Sequence, residues 1–488
     1  MEKALFCLLG FMILWAPLPL GSSRPWPAGF LEACMAILFF GWLLTLARKP
    51  GISRSLAKNR WVIALFWLIP AYNLLQLIPM PPDMVSLFRN THTLPPLRDT
   101  VWSPLTVDIG ASVLQLQKSL ALAMLLTATI GIVNTPKKLE LCMELVVLTG
   151  VIQASYGALV SLGGNAFDIL KVHEAYAHNS EATGTFISRN NFAGLLEITI
   201  ATGVGLVITN ILQTKDLYLG WRAALRGFLQ TMLGKKARLR IFLALMVAAL
   251  ILSRSRMGNT AFFASLGISA VVGLLVFRKH RQRSSLIFLF SSMIAIDFLI
   301  LGSLFKLDQL ASRLEHTTLE QEERVYVFQA ALDMVKDAMP GGTGGGTFAS
   351  AFDAYKTNQI FLNYIDAHND YLQTAIEYGA AGVVIFGLIT VLILWKSLFA
   401  LIYRQTAALR GAAFAVIMGL ISHMIHATVE LNLQVLSNAF LLTLLCAFAC
   451  IAYGLEHQPH HSHTARRHRH EKTDSPDIAS SQLDRRPG

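Results

Sequence analysis

His368 stands in DAHNDYLQ (366–373), with Asp366 two residues before it and Asp370 two residues after. An imidazole beside a carboxylate can accept a proton from a hydroxyl near neutral pH, so this is a candidate general base. Arginines supply the second chemical element. SRSRMGN (253–259) carries Arg254 and Arg256, TGTFISRNNFAGLLEI (183–198) carries Arg189 followed by Asn190 and Asn191, and ERVYVFQ (323–329) carries Arg324. A guanidinium stays charged and grips two phosphate oxygens through its planar fork. An anionic lipid headgroup or a diphosphate is the natural ligand, with the two asparagines as further donors to phosphate or sugar hydroxyls.

Each residue also has a plainer reading. Arginines at a bilayer edge snorkel to lipid phosphate. Asn191 could simply cap the following helix. Arg324 could pair at the surface with Glu320 or Glu323, a contact of little energetic weight. His423, His426 and Glu430 recur at i, i+3 and i+7 in HMIHATVELN (423–432). They form either a site or a packing network within a span. A two-histidine metal pair finds no further ligands at suitable spacing, so neither a metal nor a cofactor is expected.

These residues must be positioned by a membrane body. The chain has 488 residues, 54% hydrophobic and 15% charged, with repeated apolar runs of the length that crosses a bilayer. The reading is an all-α polytopic membrane protein with about twelve spans. They lie at roughly 4–21, 28–46, 61–79, 113–133, 139–162, 191–212, 240–253, 259–277, 285–305, 376–395, 411–430 and 433–454. Residues 1–454 are then the transmembrane domain, 306–375 one large loop within it, and 455–488 a His/Arg/Ser-rich tail expected to be disordered. The first run could instead be a signal peptide, but it is long for that role and lacks an evident cleavage site.

Most of the 41 Lys and Arg fall on one side of this layout, in the 47–60 and 214–240 loops, RKHRQR (278–283) and the tail. Positive charge marks the cytoplasmic side, so the net charge of +11 reflects topology and not nucleic-acid binding. The N-terminus and tail are expected inside, with the 80–112, 163–190 and 306–375 loops outside. The 214–240 loop, with Arg222, Arg226, Lys235 and Lys236 among apolar residues, is expected to lie on lipid as an amphipathic helix. Cys7, Cys34, Cys142, Cys446 and Cys450 all fall in apolar runs, which excludes a disulfide scaffold.

Within the large loop, Val325, Phe328, Leu332, Val335 and Met339 share one face of a helix over 322–339. Pro340 and the glycines of 341–346 end it. His368 precedes a second helix that Asn369 or Asp370 caps.

GTFISRNNFAGLLE (184–197), SRSRMG (253–258), ERVYVFQAALDMVKDAMPGGTGGGTF (323–348 with its leading Glu322) and AHNDYLQTAIEYGAAG (367–382) resemble the O-antigen ligase and polymerase family of bacterial envelope glycosyltransferases. The resemblance spans about the middle half of the chain and includes the twelve-span, GT-C-like layout with one large periplasmic loop. It implies transfer of a glycan from undecaprenyl diphosphate to an acceptor at the periplasmic face of the inner membrane, without a metal. The acceptor would be lipid A–core for a ligase and a lipid-linked saccharide repeat for a polymerase, with ligase preferred. It further implies that Arg254 or Arg256 and Arg324 hold the diphosphate and that His368 is the base. Two other classes compete. A lipid-linked sugar transporter would need charges buried at mid-span, and a non-catalytic assembly scaffold would leave His368 dispensable.

Overall fold

The computed structural model describes residues 1–48, 54–91, 93–94, 102–164, 167–169, 181–213, 237–278, 283–304 and 319–455. Within these, the side chains of residues 237, 294, 296–304, 319–322 and 324 lie outside the description. Most of the 214–240 segment, RKHRQR, the first part of the large loop and the tail also lie outside it, so the expectations placed on them are not addressed.

A helix occupies each of the twelve apolar intervals: α1 (Glu2–Trp15), α2 (Pro25–Arg48), α3 (Arg60–Leu77), α4 (Ile109–Ile132), α5 (Pro136–Gly163), α6 (Arg189–Gln213), α7 (Ala237–Leu252), α8 (Arg256–Val276) and α9 (Arg283–Leu304). After α10 (Leu319–Ala338), which lies in the large polar interval, come α11 (Asp370–Tyr403), α12 (Ala407–His426) and α13 (Leu436–Gly454). Among the described residues nine are long and apolar enough to cross a membrane; α1, α7, α9 and α10 are not among them. At 1.5 Å per residue, the 14 residues of α1 rise about 21 Å, short of a hydrocarbon core of about 30 Å. The protein is thus a multi-pass helical membrane protein with nine candidate spans rather than a demonstrated twelve.

The bundle is organised around α6, which is buried over most of its length and makes its largest contact with α12. Small residues allow this. A Cβ on Gly205 would lie 2.4 Å from the carbonyl oxygen of Gly411, so the two backbones touch. Close approach of that kind drives helix association where lipid removes the hydrophobic advantage.

A second, smaller core sits on the polar interval. Val327, Ala331 and Met334 of α10 pack with Phe348, Phe352, Ile360 and Tyr364. The apolar stripe expected from spacing is therefore not the buried one. Val325, Phe328 and Leu332 are exposed, and the face turned inward carries Val327, Ala330, Ala331, Met334 and Ala338. That face meets α11 and the residues that follow the glycine turn. The helix ends at Ala338, before Pro340 and the glycines.

Candidate functional site

The start of α11 fixes His368. Asn369 is the N-cap: its Oδ1 accepts from the N–H groups of Tyr371 and Leu372 at 2.9 and 3.0 Å. Its Nδ2 donates to the Thr428 carbonyl at 2.8 Å, tying the cap to the loop after α12. The cap forces a sharp entry, and His368 takes a left-handed backbone with φ +48°. That conformation costs a non-glycine residue about 1–2 kcal/mol. Its ring, one-third exposed, stands edge-on to Tyr364.

Nδ1 of His368 faces not Asp366 or Asp370 but Glu430, whose Oε2 is 3.6 Å away. That is just beyond hydrogen-bond length, a gap that commonly tightens when substrate binds. Glu430 is buried, and its Oε1 accepts from Asn190 Nδ2. Three segments far apart in sequence, the starts of α6 and α11 and the α12–α13 loop, thus meet at one carboxylate.

The expected orienting carboxylates do other work. Asp370 Oδ2 accepts from the N–H groups of Asn432 and Leu433 at 3.2 and 3.5 Å. Asp366 lies 3.4 Å from Gln373 Nε2. Burial pushes the Asp366 carboxyl above its usual range, opposed by the Gln373 contact and by the charge of His368.

At the start of α6, Ser188 rather than Asn191 is the cap, its Oγ accepting from Asn190 N–H at 3.2 Å. Arg189 pairs with Glu181. Asn191 contributes its carbonyl to Asn438 Nδ2 at 2.8 Å. The α7–α8 turn joins this end of α6: Ala182 N–H donates to the Leu252 carbonyl at 3.1 Å, and Gly258 abuts Ala193. In that turn Ser255 Oγ accepts from Gly258 N–H, capping α8. Arg254 has φ +53° and is half-buried, while Arg256 begins α8 and is exposed. Among the described residues no carboxylate pairs with either guanidinium. Among the described residues, two of the four non-glycine residues with positive φ are Arg254 and His368. Strain held at such positions is a common mark of functional sites. Arg324 lies in the first turns of α10; its side chain is outside the description.

The glycine turn is a fastener. Gly341 and Gly342 donate to Phe88 and Ala338, Thr343 to Ile376 and Gly344 to the Glu377 carbonyl. Gly345 donates to Gln76 Oε1 and Gly346 to Glu377 Oε2, at 3.2 and 2.9 Å. With every N–H from 341 to 346 used internally, the turn is not a phosphate cradle. It locks α10 onto α11. Gly344 has φ +107°, and a Cβ there would lie 2.2 Å from Thr106 Oγ1.

Behind the site, Glu197 of α6 accepts from Ser422 Oγ at 2.8 Å and meets His426 Nδ1 at 2.6 Å, all three buried. His426 thus serves a packing network between α6 and α12. Reading the sequence missed Glu197, Glu377 and Lys118 as structural anchors. The available signal was an ionisable residue inside an apolar span, which must have a partner.

No curated protein matches the chain. Residues 241–387 match the family model described as O-antigen ligase. The matched interval runs from α7 through the arginine turn, α10, the glycine turn and His368 into α11, leaving Asn190 and Glu430 outside it. The chain therefore carries an O-antigen ligase family domain at residues 241–387.

Proposed function

We propose that the protein is a glycosyltransferase of the bacterial inner membrane, moving a glycan from undecaprenyl diphosphate to an acceptor of the lipid A–core type at the periplasmic face. The observation that carries this reading is the meeting of His368, Glu430 and Asn190 at one end of the bundle, where α6 also holds the Arg254/Arg256 turn. His368 takes the proton of the acceptor hydroxyl as its oxygen bonds to the anomeric carbon. The bond from that carbon to the diphosphate breaks, its electrons leave on the phosphate oxygen, and the configuration inverts. Glu430 orients the imidazole and offsets the positive charge it gains. Arg254, Arg256 and Arg324 neutralise the charge growing on the diphosphate. Arg189 is already paired with Glu181 and is given no part in the clamp.

The placement of buried charge favours this reading over a transporter. Lys118 lies nine residues from the start of α4, Glu197 eight from the start of α6 and Asp370 opens α11, so all three sit within about 14 Å of the site end, while Lys396 lies toward the other end of α11. A transporter would place such charge at mid-span. The test is surface-glycan analysis of a strain lacking the protein. Accumulated full-length lipid-linked chains support a ligase, single-repeat products a polymerase, and an unchanged glycan profile refutes both.

A further inference from the structure

The α12–α13 loop, residues 427–435, carries Glu430 to His368, and it is fastened along its whole length. The N-terminus of α11 takes the first part: Asp370 N–H donates to the Ala427 carbonyl at 3.0 Å and Asn369 Nδ2 to the Thr428 carbonyl at 2.8 Å. Asp370 Oδ2 then accepts from Asn432 and Leu433 N–H. Lys118, nine residues into α4, takes the last part. Its Nζ donates to the carbonyls of Leu433 and Gln434 at 2.8 and 3.0 Å and lies 3.4 Å from Gln434 Oε1.

Beneath this strap is space. Lys118, Asp370 and Leu433 line a cavity of about 190 Å³ whose other walls are mostly apolar side chains of α3, α4, α11, α12 and α13, with His423 and Gln115 among the polar ones. Leu431, Asn432 and Val435 of the loop are buried, whereas Leu433 and Gln434 are only partly so and Leu433 faces the cavity, so at that stretch the polar ties fix the height of the loop. An ammonium in an apolar helix is costly, and Lys118 offsets that cost by giving its protons to this loop.

We infer that Lys118, with Asp370, is a positioning residue that holds Glu430 in register with His368. This rests on the assignment of His368 and Glu430 made above. Asp370 acts from the first turn of the helix that His368 precedes. Lys118 binds the loop at Leu433 and Gln434, three and four residues beyond Glu430, so its substitution separates loop position from the chemistry itself.

The experiment uses the full-length protein in lipid nanodiscs, with hydrogen exchange of residues 427–435 and transfer kinetics on lipid-linked donor measured together. Lys118→Met keeps the length of the side chain and removes its donors. Exchange at Asn432 and Leu433 is expected to rise about tenfold or more. kcat is expected to fall about 10–100-fold with donor KM unchanged, the scale of a roughly 1 Å misplacement. Lys118→Arg, which keeps donors, restores part of both. In a Glu430→Gln background Lys118→Met should cost little more, because the group it positions is already gone. Unchanged exchange, or an undiminished kcat penalty in the Glu430→Gln background, overturns the inference while leaving the His368–Glu430 assignment standing. Full activity of Glu430→Gln alone overturns that assignment and with it any catalytic purpose of the strap. If Lys118→Met does not accumulate, Lys118→Gln, which retains a single donor group, is put through the same measurements and judged by the same outcomes.

Discussion

Replacing Glu430 by glutamine changes one charge and almost no volume. The glutamine carbonyl still accepts from Asn190 Nδ2, so the loop keeps its contact with α6. What is lost is a negative charge facing the imidazole. At the 3.6 Å between Glu430 Oε2 and His368 Nδ1, two unit charges attract by about 4–5 kcal/mol at an effective dielectric of about 20, and by about 1 kcal/mol in water. His368 is one-third exposed, so solvent takes part of that interaction. About 1–3 kcal/mol remains, and it acts only once the base has taken its proton. That corresponds to a loss of about 5–150-fold in kcat. Donor KM should hardly move, since the carboxylate belongs to the base and not to the diphosphate clamp. The assay is steady-state transfer by purified protein in nanodiscs, with thermal unfolding measured in parallel. A kcat within twofold of wild type, at unchanged Tm, would refute the electrostatic role of Glu430.

Arg254→Gly should abolish most transfer without lowering Tm, because glycine accepts the φ of +53° that arginine holds at a cost; retained transfer removes Arg254 from the clamp. Arg256→Lys should also lose activity at normal membrane abundance, since lysine lacks the bidentate fork. Gly344→Ala should destabilise by about 2–4 kcal/mol or prevent accumulation, because its φ is +107° and the new Cβ would strike Thr106; purification yield and Tm decide it. For Asp366, burial raises the folded-state carboxyl pKa above its unfolded value of about 3.9. The folded state then binds the proton more tightly, so stability falls as pH rises through the raised pKa and the penalty persists at neutral pH. Asp366→Asn should therefore raise Tm at pH 7, with the difference from wild type vanishing below about pH 4; an equal difference at both would contradict the burial argument.

Apolar run length located the helices, because the cost of an unpaired backbone in lipid leaves little else for such runs to become. It could not tell that α1 is short, since flanking apolar residues at turns look the same as helical ones in composition. The entry of α11 was legible through Asn369, a local cap whose partners lie two and three residues away. The partner of His368 was not. Glu430 is 62 positions further on, and the nearer Asp366 and Asp370 suggested themselves by proximity alone. Similarly, α10 shows two candidate faces. The bulky one, Val325, Phe328 and Leu332, dominates the periodicity, yet the face with Val327, Ala331 and Met334 is the buried one, because it meets Phe348, Phe352 and Ile376, partners that the periodicity of α10 alone does not reveal.

The most direct measurement is transfer and donor binding by His368→Ala, made on the same purified protein with lipid-linked donor and acceptor. Loss of one general base should reduce turnover by about 10²–10⁴-fold. Donor affinity should stay near wild type, because the arginines and not the imidazole hold the diphosphate. Turnover at the wild-type rate would contradict the account at its centre.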